Sequence, residues 1–179
     1  YGLTLDAGSL LLLDEIHTAR EGLSGQIDVE RATGTDDTAT VSAKVRRMCS
    51  AWELRPEAIP LSRRVVDAAA GARTGSRHGS IAAELAAEGL AWTASSKGRR
   101  ADGWQVMSKL FRQAGRGRPA IFVSERCNYW WATVPVLPIH RNDLTDLEGP
   151  DHAADATRYL AVEMFGAGAG KAFAGARLY

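Results

Sequence analysis

Cysteine is scarce in this chain. The 179 residues hold two, Cys49 and Cys127, far apart and in no metal-ligand or redox spacing, which excludes a disulfide framework and a zinc knuckle and fits a reducing compartment. Long hydrophobic runs are also missing: no unbroken apolar run exceeds the four residues Leu10 to Leu13, far short of the ~20 needed to span a bilayer. Nothing resembles a signal peptide, so no membrane partner is expected. Charge of one sign is absent overall, since 22 Lys and Arg oppose 21 Asp and Glu for a formal net charge of +1, and bulk charge therefore selects no partner. No usable phosphate loop exists. The Gly-rich stretch from Gly166 to Ala172 is one residue short between its outer glycines, has no Ser or Thr after Lys171, and trails a helix instead of linking a strand to one. No internal repeat or second-domain boundary appears.

What is present suits a single domain with a real core, because 45% of the residues are apolar. Leu3 to Leu5 and Leu10 to Ile16 flank the turn signal Asp6-Ala7-Gly8-Ser9 and read as a hairpin. Thr38 to Trp52 has helical spacing through Val41, Val45, Met48 and Trp52, and Pro56 and Pro60 mark its end. Arg63 to Asp67 is a short β-branched strand ending in an acid, followed by a loop of small residues. Ser80 to Ala87 reads as a helix stopped by Gly89, and Leu90 to Thr93 as a strand, so this unit predicts parallel pairing. Past a basic loop, Asp102 caps a helix whose Val106, Met107, Leu110, Phe111 and Ala114 form one apolar face. Ala120 to Val123 is a further strand and Cys127 to Val134 a short helix, whose Tyr129, Trp130 and Trp131 are read as core packing rather than base stacking. Pro135 to Pro150 is irregular. A last helix starts near Asp151 and runs through Phe165, since Pro150 disfavours helix before it and the sequence after it is Ala-rich. Residues 166–179 form a Gly/Ala-rich tail.

Charge is clustered although its sum is near zero. Arg73, Arg77 and His78 form one basic group, Lys97, Arg99 and Arg100 a second, and Arg112, Arg116 and Arg118 a third, each at the edge of an element and compatible with a phosphate backbone. Among the acids, Asp151, His152 and Asp155 share one face of the first turn of the last helix. Asp67 stands at a strand end. Asp14, Glu15 and His17 could mimic a metal cluster, but strand alternation puts Asp14 and Glu15 on opposite faces and favours exposure or a supporting role.

The motif Gly149-Pro150-Asp151-His152-Ala153-Ala154-Asp155-Ala156-Thr157-Arg158-Tyr159 resembles, nearly letter for letter, the last motif of the nuclease domain of tailed-phage large terminases. The likeness extends over roughly Leu3 to Tyr159. It includes Val65-Val66-Asp67 with its small-residue loop, the basic loop Lys97-Gly98-Arg99 before an amphipathic helix, and Ser124-Glu125-Arg126-Cys127 after a strand. The resemblance implies a ribonuclease H-like α/β fold over residues 1–165, a mixed sheet flanked by helices. It implies an endonuclease that cuts double-stranded concatemeric DNA during genome packaging, using two Mg²⁺ or Mn²⁺ ions. Asp67, Asp155 and His152 would be catalytic; the ions would be held by Asp67, Asp155, His152 and Asp151; and Arg73, Arg77, Lys97, Arg99 and Arg100 would contact DNA. Two hard cations between converging carboxylates would activate water and stabilise the leaving oxygen. Arg158 and Tyr159 would brace the last helix against the sheet or touch a phosphate.

In that family the first catalytic Asp lies on the first strand in an Asp-x-Gly context. Here the hairpin begins at once and there is no initiator Met, so that strand is expected upstream of Tyr1, with a packaging ATPase before it; the other reading makes Asp6 the acid instead of a turn residue. Further partners implied by the resemblance are the portal protein and the small terminase subunit, in the cytoplasm of an infected bacterial host. The competing readings are another nuclease of the same fold, of junction-resolvase type, and a catalytically silent DNA-binding or motor-docking module.

Overall fold

Apolar residues on either side of a turn signal produce a hairpin: β1 (Gly2–Thr4) and β2 (Leu10–Leu12) pair antiparallel, with Gly2 opposite Leu12. The far edge of β2 pairs in parallel with β7 (Ile121–Val123), Leu10 opposite Ile121, so a three-stranded sheet runs β1-β2-β7. The structure is a computed structural model. It describes residues 2–4, 9–16, 20–21, 27–28, 38–61, 64–73, 78–95, 100–113, 116, 120–137 and 150–166. The chain divides into two compact units, one made of Tyr1–Glu15 with Ser96–Tyr179 and the other of Ile16–Ser95.

In the first unit the sheet carries α3 (Arg100–Gln113), α4 (Asn128–Thr133) and α5 (His152–Phe165). Its core joins Leu10, Leu12 and Ile121 from the strands to Met107 and Leu110 of α3, Trp130 of α4 and Ala161 of α5. Tyr129 and Trp130 are buried, as core packing requires, whereas Trp131 is half-exposed and meets Trp130 edge-on at 4.9 Å. Asp102 does not cap α3. The helix begins two residues earlier, at Arg100, and Asp102 falls within its first turn.

In the second unit β3 (Arg20–Glu21) pairs antiparallel with β4 (Ile27–Asp28). Helix α1 (Thr38–Ala51) follows, and it buries Ser42, Val45 and Cys49. That face keeps Val45 of the one expected through Val41, Val45, Met48 and Trp52 but is turned from it by roughly 60°; small Ser42 and Cys49 occupy the buried stripe, while the bulky Trp52 is exposed. The strand-helix-strand unit is present: β5 (Val65–Val66) and β6 (Thr93–Ala94) pair in parallel across α2 (Ile81–Ala87). Ser80 caps α2 by accepting from the Ala83 N–H at 3.1 Å. Gly89, at φ +81°, ends it in a left-handed turn that only glycine adopts without strain. Fully buried Leu90 belongs to that turn, which is why β6 begins later than expected.

The described strands, two or three residues long, thus pair in four ladders that make three sheets, two of them containing a parallel pair, in a mixed α/β arrangement. Among the described residues no helix is long and apolar enough to cross a membrane.

Candidate functional site

Helix α5 opens on Asp151, whose carbonyl accepts the Asp155 N–H at 2.8 Å and starts the helical ladder. Its side chain makes no capping bond. It accepts instead from an Nη of Arg100 at the start of α3, and the same guanidinium reaches Asp155 Oδ1 at 3.3 Å. Asp155 Oδ1 also accepts from Arg158 Nε at 3.1 Å. Arg158 is only 3% exposed, and its guanidinium lies 4.4 Å from the centroid of the Tyr159 ring. Two carboxylates and two guanidiniums therefore compensate one another where α3 crosses α5. Partial burial would lower the pKa of Arg100, but Asp151 and Asp155 outweigh it and hold the guanidinium above its ordinary value.

This crossing depends on Gly103. A Cβ there would stand 2.7 Å from Arg158 Cγ and 2.8 Å from Cδ, so the bare backbone is what allows the aliphatic stem of Arg158 to lie across α3. Arg158 thus braces α5 against α3 and not against the sheet. Thr157 makes a second tie: its hydroxyl accepts from Trp130 Nε1 at 3.0 Å and donates to the Ala153 carbonyl at 2.8 Å. His152, beside these groups in sequence, is exposed.

Asp67 lies just past the carboxyl end of β5, the end of parallel strands where α/β proteins place their ligand groups. Its Oδ1 accepts from the Ala69 N–H at 2.7 Å and caps the 3-10 turn Ala68–Gly71. The small residues after it keep the strand end open: Ala68, Ala69 and Gly71 are exposed and Ala70 is buried.

Of the sequence-predicted DNA contacts, Arg73 is exposed on the chain leaving that turn. Arg100 belongs to the first turn of α3, not to a loop, and is committed to the acids of α5. Arg77, Lys97, Arg99 and Asp6 lie outside the described residues, as does most of the approach to α5.

Sequence reasoning missed the work of Asp14 and Glu15. The Glu15 carboxylate accepts from the backbone N–H of Tyr129 and, at 3.1 Å, of Trp130, so it caps the start of α4 from a distant part of the chain. Asp14 pairs with Arg126 at 3.1 Å. No local pattern announces this, because the donors are backbone groups more than a hundred residues away. Nearby Cys127 is buried, and burial with the adjacent Glu15 charge pushes its thiol up to about 11, which favours the protonated thiol over the thiolate.

Carboxylates with an imidazole are the donor types that Mg²⁺ or Mn²⁺ prefers. Among the described residues, however, no group of three or more His, Cys, Asp or Glu side chains gathers where it could hold one ion. The structure brings Asp151 and Asp155 together through Arg100; an ion binding there has to share them with that guanidinium. Asp67 belongs to the other unit, where its own backbone sets its orientation. No protein-family model, curated protein or solved structure matches this chain.

Proposed function

We propose that this chain is a ribonuclease H-like nuclease domain of the phage large-terminase type, a metal-dependent endonuclease cutting double-stranded DNA during genome packaging. The observation that carries the reading is the opening of α5, where Asp151, His152, Asp155, Arg158 and Tyr159 stand in the order of that family's last motif on the first turns of a helix. A second acid at the carboxyl end of a parallel strand, Asp67, supports it. By the resemblance, Asp67, Asp155, Asp151 and His152 would each be metal ligands. When bound, the ions would lower the pKa of a water and stabilise the departing oxygen. The part of the chain's own residues is positional. Arg158 and Arg100 hold the Asp155 carboxylate at one place, and the Ala69 N–H does the same for Asp67.

Mn²⁺-dependent plasmid nicking tests the reading. The chain as it stands should nick, while Asp67→Ala and Asp155→Ala should fall to background and each lose Mn²⁺ binding followed by electron paramagnetic resonance. Equal background in all three proteins would eliminate the nuclease assignment and leave a DNA-binding or motor-docking module.

A further inference from the structure

We infer that the C-terminal end of α3 is a phosphate-anchoring site for duplex DNA, built from Lys109, Arg112, Gln113 and Arg116. These four side chains line a depression of about 460 Å³. Lys109, Arg112 and Gln113, three and four residues apart, share one side of the end of α3, over roughly 6 Å at 1.5 Å per residue. The turn that carries Arg116 is tied back by its N–H to the Gln113 carbonyl at 3.0 Å.

Among the described residues the charge here has no acidic partner: Arg46, Arg100, Arg126 and Arg158 each pair with a carboxylate, but no ion pair joins Lys109, Arg112 or Arg116 to a described acid. One cation near a helix C-terminus is accounted for by the carbonyls of the last turn, and Arg112 meets that need by donating from Nε to the Ser108 carbonyl at 3.1 Å. The same bond fixes its guanidinium and leaves the Nη groups available as a fork, the geometry that takes a phosphate by two hydrogen bonds. Lys109 and Arg116 are exposed beside it and add two further positive charges.

A lining of three cations and one amide, without an apolar side chain, suits an anion rich in acceptor oxygens better than a peptide. Successive phosphates of one strand advance ~3.4 Å along a duplex, so the patch can face two or three of them. Such contacts position a duplex without reading its bases, and binding here is therefore independent of sequence. The choice of duplex DNA rests on the function proposed above; the anion site itself does not. Its residues are separate from the acids of α5 and β5 and are not needed for metal binding.

The test is fluorescence anisotropy of a labelled duplex in EDTA across a salt series, using the whole chain. The triple variant K109A/R112A/R116A should bind roughly tenfold or more weakly, with the slope of log affinity against log salt shallower by about 2–3. Its melting temperature should be unchanged because all three side chains are exposed. The charge-keeping variant K109R/R112K/R116K should retain the slope. If the unmodified chain binds and the triple variant matches it in affinity and slope, the site is overturned while DNA binding stands. An unmodified chain that binds no duplex DNA, or prefers duplex RNA of the same sequence, overturns the DNA assignment here and in the function above.

Discussion

The opening of α5 and the end of β5 each present an acid, and the two are held in opposite ways. Asp155 is oriented from outside its own element by Arg100, which precedes it by 55 residues, and it neutralises the buried Arg158. Asp67 is oriented by a backbone N–H two residues away. Losing a carboxylate that caps its own turn removes that cap, whereas losing one that compensates a buried cation leaves the charge uncompensated. Asp155 thus takes part in a buried charge pair between two helices, and Asp67 in the local cap of a 3-10 turn.

Stability measurements can break that comparison. Asp155→Ala leaves Arg158 buried without its carboxylate and should cost about 3–5 kcal/mol in urea unfolding, while Asp67→Ala removes one cap and should cost about 1 kcal/mol. Equal losses would show that the arginine pair does not lock α5. Gly103→Ala should cost about 1–3 kcal/mol, because its Cβ collides with the Arg158 stem; an unchanged midpoint would mean that α3 and α5 can separate freely. The same contrast of distant and local support recurs in the helix caps. Glu15→Ala exposes two backbone donors of α4 and should cost about 2 kcal/mol, against about 1 kcal/mol for Ser80→Ala in α2. Reversal of that order would place the weight on local capping.

The last effect appears only at alkaline pH. Cys127 has its thiol raised from 9.0 to about 11, chiefly by burial. Between those values the unfolded chain has given up the proton and the native chain keeps it, so stability is full below about pH 9 and declines towards pH 11. Cys127→Ala should flatten that decline relative to the unmodified protein. A decline of the same steepness in both would assign it to other groups.

Much of the local structure was legible in the sequence because its causes are local. The helix from Ser80, the Gly89 stop and Asp67 at a strand end all depend on residues within a few positions of one another. The buried face of α1 was legible only at Val45; Ser42 and Cys49 are also inside, and hydrophobic spacing does not mark a small polar residue for burial. Arg100 reads as part of a basic loop for the same reason: its sequence neighbours are basic, and the acids that claim it stand on another helix.

The sequence by itself determined the order of α1 to α5, the pairing of β1 with β2, the parallel pairing of β5 with β6, and the place of Asp67 at a strand end and of Asp151 and Asp155 at a helix start. Only the tertiary structure decided that Glu15 caps α4, that Gly103 admits Arg158, and that Arg100 joins Asp151 to Asp155. Backbone propensities act over a few residues and can be read one stretch at a time. Ion pairs, distant caps and close helix crossings depend on where separate stretches come to rest, and no single stretch carries that information.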